Sequence, residues 1–151
     1  MVLKLLISFL FSFQTVLSHP KIVEISDLGT LEALNSKNTM ASVESEKDKL
    51  IYFWATWCDV CKTKLTSVFK EDSLYKKFDV YLVATDQDKA KVEHFQNKFK
   101  LKSFVVLDPQ RKIQEKFQIY GVPTLVRLQP EAGKLTVRAF QAGGEIEKLL
   151  Q

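Results

Sequence analysis

Metal-ligating side chains are scarce in this chain of 151 residues: two cysteines, Cys58 and Cys61, and two histidines, His19 and His94. A structural zinc site normally takes four ligands. Here His19 falls at a processing boundary described below and His94 on a helix surface, so no metal site is expected. Methionine is equally rare, with only Met1 and Met40. A bilayer-crossing helix needs roughly 20 apolar residues. The apolar run over 5–17 is shorter and contains Gln14. There is no internal repeat and no low-complexity tract. Charge of one sign is not concentrated either. The formal net charge is +4, and lysines mix with acids in "KDK" (47–49) and "KEDSLYKK" (70–77). That is a solvated surface rather than a phosphate-binding patch, so no nucleic-acid partner is expected.

What is present begins with an export pattern. Lys4 gives a positive start, "LLISFLFSFQTVL" (5–17) is apolar, and Val16 and Ser18 stand at −3 and −1 of a possible cut after Ser18. This predicts a signal peptide over 1–18 that is cleaved rather than kept as an anchor. No cysteine lies near that cut to take a lipid. The remaining domain, 19–151, would be periplasmic or secreted in a bacterium, in an oxidising compartment. Its length is that of one domain that buries a core without disulfide staples.

Hydrophobic patterning gives an alternating order. Strands are predicted over 21–25, 49–56, 78–85, 103–108, 123–129 and 134–141. Helices are predicted over 26–36, where it is weak, and over 58–70, 86–100, 110–119 and 144–151; residues 37–48 read as loop or frayed helix. Leu65, Val68 and Phe69 share one helix face, as do Val92, Phe95 and Phe99. Phe104, Phe117 and Trp54 read as core. The last two strands form a hairpin across "PEAG" (130–133). Alternation of this kind implies an α/β fold: parallel strands with right-handed crossovers, helices on both faces, and antiparallel strands at one side.

The chemistry sits in "YFWATWCDVCK" (52–62), which holds both cysteines and both tryptophans. A bridge across so small a loop removes little chain entropy, so a purely structural disulfide is a weaker reading than a redox pair. Cys58 follows a strand and opens a helix, where the dipole favours an anion and lowers a thiol pKa. Cys61, one turn on, is close enough to pair with it. In this reading Cys58 attacks a substrate disulfide and Cys61 resolves the mixed disulfide. Pro123, in "YGVPT" (120–124), is the second piece. In cis it would hold the backbone of Val122 and Thr124 near the cysteines for pairing with an extended substrate. In trans it would merely open an edge strand. Trp57 would shield the pair and meet substrate.

These residues resemble the thioredoxin superfamily: "FWATWCDVC" looks like its active-site segment and "GVPT" like its cis-proline loop. The signal segment, the wording "FWATWC" and an extra strand-helix unit over about 86–108 resemble the exported TlpA/ResA-like branch. The resemblance implies a thioredoxin fold, a central mixed sheet flanked by helices with that unit inserted before the proline strand. It implies Cys58 as nucleophile, Cys61 as resolving thiol and Pro123 as cis-proline. It also implies a monomer that needs no cofactor beyond its own disulfide. A membrane thiol carrier would reduce it, and it would reduce exported proteins such as apocytochrome c or copper-site assembly proteins.

Several positions depart from the pattern. Between the cysteines stand Asp59 and Val60, where many relatives carry a proline. Asp59 either opposes the Cys58 thiolate and makes the couple more reducing, or points into water. Tyr52 occupies the strand position of a buried acid in thioredoxin itself. Gln87 falls near a buried glutamate of some relatives, and Asp86 or Asp88 would serve instead as the base for Cys61 or as a helix cap. Thr66 replaces a kinking proline, which implies a straighter helix. Two other functions stay open: a thioredoxin-like module that holds copper(I) on its thiols, and a disulfide-forming oxidase.

Overall fold

The computed structural model describes residues 22–24, 46–131, 134–143 and 145–151. Its strands are β1 (Ile22–Glu24), β2 (Asp48–Trp54), β3 (Phe78–Ala84), β4 (Phe104–Leu107), β5 (Thr124–Glu131) and β6 (Lys134–Ala142). Its helices are α1 (Asp59–Ser67), α2 (Asp72–Lys77), α3 (Lys89–Phe99) and α4 (Lys112–Lys116), with 3₁₀ turns at Val68–Lys70 and Ile146–Leu149. The signal peptide expected over 1–18, the weak helix over 26–36 and most of the loop after it lie outside the described residues.

One mixed sheet runs in the order β1-β6-β5-β2-β3-β4. The pairs β2–β3 and β3–β4 are parallel. The pairs β2–β5, β5–β6 and β1–β6 are antiparallel. β2 is therefore central, and its residues from Lys49 to Trp54 are fully buried. Its side chains alternate between two cores, as a strand period of two requires. Leu50, Tyr52 and Trp54 meet Leu65 of α1, Leu74 of α2, Val92 and Phe95 of α3 and Ile146 of the last turn. Ile51 and Phe53 point the other way, onto Ile113 of α4 and Phe117 at its C-cap. Burying each such side chain is worth about 1.5–3 kcal/mol before entropy is counted. Helices thus cover both faces, and β2 delivers the chain to the carboxyl end of the parallel strands, directly before Cys58.

One charged pair is built into this core. Lys49 on β2 is 0% exposed, and its Nζ lies 2.6 Å from Asp79 Oδ2 on β3 and 2.9 Å from the Lys47 carbonyl. Lys49 and Asp79 are direct partners in the parallel register.

The structure departs from the sequence expectations at four elements. The helix expected over 58–70 is α-helical only to Ser67, then tightens into a 3₁₀ turn. Thr63, Thr66 and Ser67 each donate a hydroxyl hydrogen bond to the carbonyl four residues earlier, at 3.1, 2.9 and 2.9 Å. Such back-bonding weakens a helix. Second, α2 forms where only scattered charge was read. Its Leu74 reaches the core, and Tyr75 donates to the Phe69 carbonyl and meets the Ser103 hydroxyl at 2.7 Å. Third, Pro130 and Glu131 belong to β5 and not to the turn, paired with Leu135 and Lys134 at the hairpin end. Proline is tolerated at such a margin. Fourth, the closing helix over 144–151 shrinks to a 3₁₀ turn. Arg127 ties it down, its guanidinium donating to the carbonyls of Leu149 and Gln151 while Nε binds Asp48.

Candidate active site

Cys58 is the N-cap residue of α1, with extended backbone at φ −92° and ψ 103°. The strand that precedes it and the turn bond from its N–H to the Ala55 carbonyl, 3.1 Å, fix its place. Its Sγ accepts the Cys61 N–H at 3.2 Å. The two cysteines form a disulfide with Cα atoms 5.2 Å apart. They differ in access: Cys58 is 8% exposed and Cys61 fully buried. The asymmetry follows from the helix, whose first turn carries Cys61 inward toward Leu65 while Cys58 stays at the mouth.

Asp59 and Val60 both face solvent. The Asp59 side chain is 90% exposed, and its carboxylate lies 2.5 Å from Lys62 Nζ, one turn along α1. Of the two alternatives for Asp59, the structure shows the one in water. Trp57 is 70% exposed at the rim of the site. The Val122–Pro123 peptide is cis. Val122 packs on the core cluster that contains both cysteines, and the Pro123 carbonyl accepts the Gly143 N–H at 2.8 Å. Thr124 is only 2% exposed, and its hydroxyl donates to the Gly121 carbonyl at 2.8 Å. Its side chain shapes the proline loop.

The three acids near the site differ in kind. Asp88 caps α3, accepting from the N–H groups of Ala90 and Lys91 at 3.0 and 3.3 Å. Asp86 is 7% exposed and accepts both the N–H and the hydroxyl of Thr56. It therefore pins the turn between Trp54 and Cys58 from across the sheet. Gln87 is exposed beside them. His94 is exposed on α3, as expected. Among the described residues no group of three or more histidine, cysteine, aspartate or glutamate side chains is gathered to hold a metal.

Tyr52 sits under the site. Its ring packs on Phe69 at 4.6 Å between centroids. Its hydroxyl is buried with no hydrogen-bond partner among the described residues. Burial, with the nearby Glu147 charge as a second cause, pushes the phenol well above the ordinary tyrosine range. It is neutral at any working pH and does not stand in for an acid. An unpaired buried hydroxyl costs about 1–3 kcal/mol. Tyr52→Phe is therefore expected to leave stability unchanged or raise it by up to about that much, as read by urea unfolding. A clear loss would show that the hydroxyl has a partner.

Two exposed aromatic residues mark the site, and sequence reasoning singled out only one. Tyr120, 78% exposed, stands in the proline loop across from Trp57. Its place in "YGVPT", next to a loop already of interest, was the available signal. Thr56 gave none, because its partner Asp86 is 30 residues away.

The fold and the disulfide at a helix N-terminus define a thioredoxin-like protein. The sequence model of the Redoxin family matches residues 17–131, and the chain belongs to that family. It is 28% identical over 103 residues to the thiol-disulfide oxidoreductase ResA of Bacillus subtilis, covering 67% of this chain and 58% of the relative. The chain spans about three-fifths of the curated relatives it matches, 58%, 57% and 62% for three of them. Among solved structures, a thioredoxin-like protein in its oxidised form superposes with a TM-score of 0.68 at 25% identity, covering 87% of this chain and 92% of that one. A secreted Mycobacterium tuberculosis disulfide oxidoreductase homologous to E. coli DsbE gives 0.66 at 18% identity, covering 83% and 95%, a likeness of fold.

Proposed function

We propose that this protein is an exported thiol-disulfide oxidoreductase that reduces disulfides in other exported proteins. The observation that carries the reading is the asymmetric pair: Cys58 at the mouth and N-cap, bonded to a buried Cys61. In the dithiol form Cys58 is the nucleophile, favoured as a thiolate by the helix N-terminus and the Cys61 N–H. It attacks a substrate disulfide, and Cys61 then attacks Cys58 and releases the reduced substrate. Pro123 and Val122 shape the surface on which an extended substrate lies, and Trp57 contacts it. Asp86 acts by holding Thr56 and hence the Trp57–Cys58 turn.

The direction follows from how modestly the thiolate is stabilised. A strong oxidase needs a much-stabilised thiolate. Here one N–H reaches Sγ, and Lys62, one turn into α1, is held by Asp59 rather than left for the sulfur. That favours a reducing couple. Export is supported by the signal pattern over 1–18. In such a compartment reducing equivalents must come from a membrane thiol carrier. Substrates by family resemblance are exported proteins whose thiols must be free, apocytochrome c and copper-site assembly proteins among them. The protein would act as a monomer.

The test is the reduction potential of the Cys58–Cys61 couple, read after equilibration in thiol-disulfide buffers. The expected value is nearer the about −270 mV of thioredoxin than the about −120 mV of DsbA. A value near the latter overturns the reductase direction, and failure to exchange at all overturns the reading.

A further inference from the structure

Beside the disulfide lies a recess of about 960 Å³ that the redox chemistry alone does not explain. It opens between the start of α3, α4 and the proline loop, with Trp57 and Val122 on its wall. Those residues directly precede Cys58 and Pro123, so the recess lies next to the redox pair and the proline along the chain. Trp57 and Tyr120 stand exposed at its rim. Arg111 and Glu115 both line it, one turn of α4 apart, yet neither side chain has a partner among the described residues. Gln114, 8% exposed on the same wall, keeps a buried amide oxygen without a donor among the described residues. Two of the three non-glycine residues at positive φ, Arg111 and Gln118, also line it. Such backbone costs about 1–3 kcal/mol per residue and gathers at functional sites.

Resting on the redox reading above, we infer that this recess binds a peptide-sized disulfide carrying both carboxylate and ammonium groups beside its sulfur. The volume is that of a small-molecule site. Arg111 presents a guanidinium suited to a carboxylate, Glu115 accepts from an ammonium, and the aromatic rim covers the stem. A zwitterionic ligand satisfies both unpaired charges at once, which an apolar polypeptide segment would not. The reduced Cys58 thiolate attacks one sulfur of the bound disulfide. That S–S bond breaks, one half stays on Cys58, and the other leaves as a thiolate and takes a proton. Cys61 then attacks Cys58 Sγ, re-forms the protein disulfide and releases the second half as a thiol. Two electrons pass from the protein dithiol to the ligand.

The test compares two disulfides in single-turnover oxidation of the pre-reduced full protein. Oxidised glutathione carries both charges; bis(2-hydroxyethyl) disulfide carries none. The charged probe is expected to react faster. Its rate ratio over the neutral probe should fall about tenfold in Arg111→Gln or Glu115→Gln, the loss of one charge-assisted hydrogen bond. Added salt should lower the same ratio, and Lys70→Gln, at the far end of the α1 segment, should not. A folding defect scales both rates and cancels. An unchanged ratio in both variants, or a neutral probe that reacts faster, overturns the inference while leaving the redox reading intact. Reaction with neither probe overturns both.

Discussion

Cys58→Ser is expected to bring catalysed disulfide reduction down to the buffer background, a loss of about 10³-fold or more on the scale seen when nucleophiles are removed. The reason is geometric. The chain has one other thiol, Cys61, and it is fully buried behind Cys58. A serine hydroxyl at the same N-cap accepts the same N–H but does not ionise near neutral pH, so no substitute nucleophile reaches the surface. Cys61→Ser should behave differently. Cys58 would still attack, but the mixed disulfide would not be resolved, and the adduct would accumulate to one per protein. Insulin reduction measures the first effect and intact-protein mass spectrometry the second. Turnover retained by Cys58→Ser, or trapping by Cys58→Ser instead of Cys61→Ser, would reverse the assigned roles.

The second large effect is on stability. Asp79→Ala should cost about 3–5 kcal/mol, because it leaves the Lys49 ammonium in the core without its carboxylate. The low end is expected, since the Lys47 carbonyl still accepts from Nζ at 2.9 Å and Asp79 itself is 18% exposed at its side chain. Replacing both partners, as Lys49→Met with Asp79→Leu, should recover most of the loss, because apolar packing of similar volume does not carry the desolvation cost. Thermal or urea unfolding of the two variants separates the cases. Equal loss in both would mean that packing, not charge, is what the position needs.

How much of this was legible beforehand depended on sequence distance. β2 was readable because it is buried on both faces and hence apolar over 50–54; the cysteine spacing and its strand-to-helix setting were readable for the same local reason. Helix α2 was not, because six residues with three charges show no periodic stripe, and it exists through Leu74 and Tyr75 packing on distant elements. The hairpin margin was misplaced because proline signals a turn more often than the last pair of a ladder. At the site, Pro123 and Trp57 came from short motifs. The recess did not, because it is assembled from turns near 56, 86 and 111–122 that meet only through the strand order. Asp86 shows the same limit: it was legible as an acid near a helix start, but not as the partner of Thr56.

The two tryptophans three residues apart have a practical consequence. Trp54 is wholly enclosed and Trp57 is 70% exposed beside the disulfide. Disulfides quench nearby indoles, and soluble quenchers reach only an open one. Iodide is therefore expected to quench Trp57 and to spare Trp54, which is enclosed in the same core cluster as both cysteines. The chain thus carries two indoles close in sequence to its redox pair, one open to soluble quenchers and one closed to them.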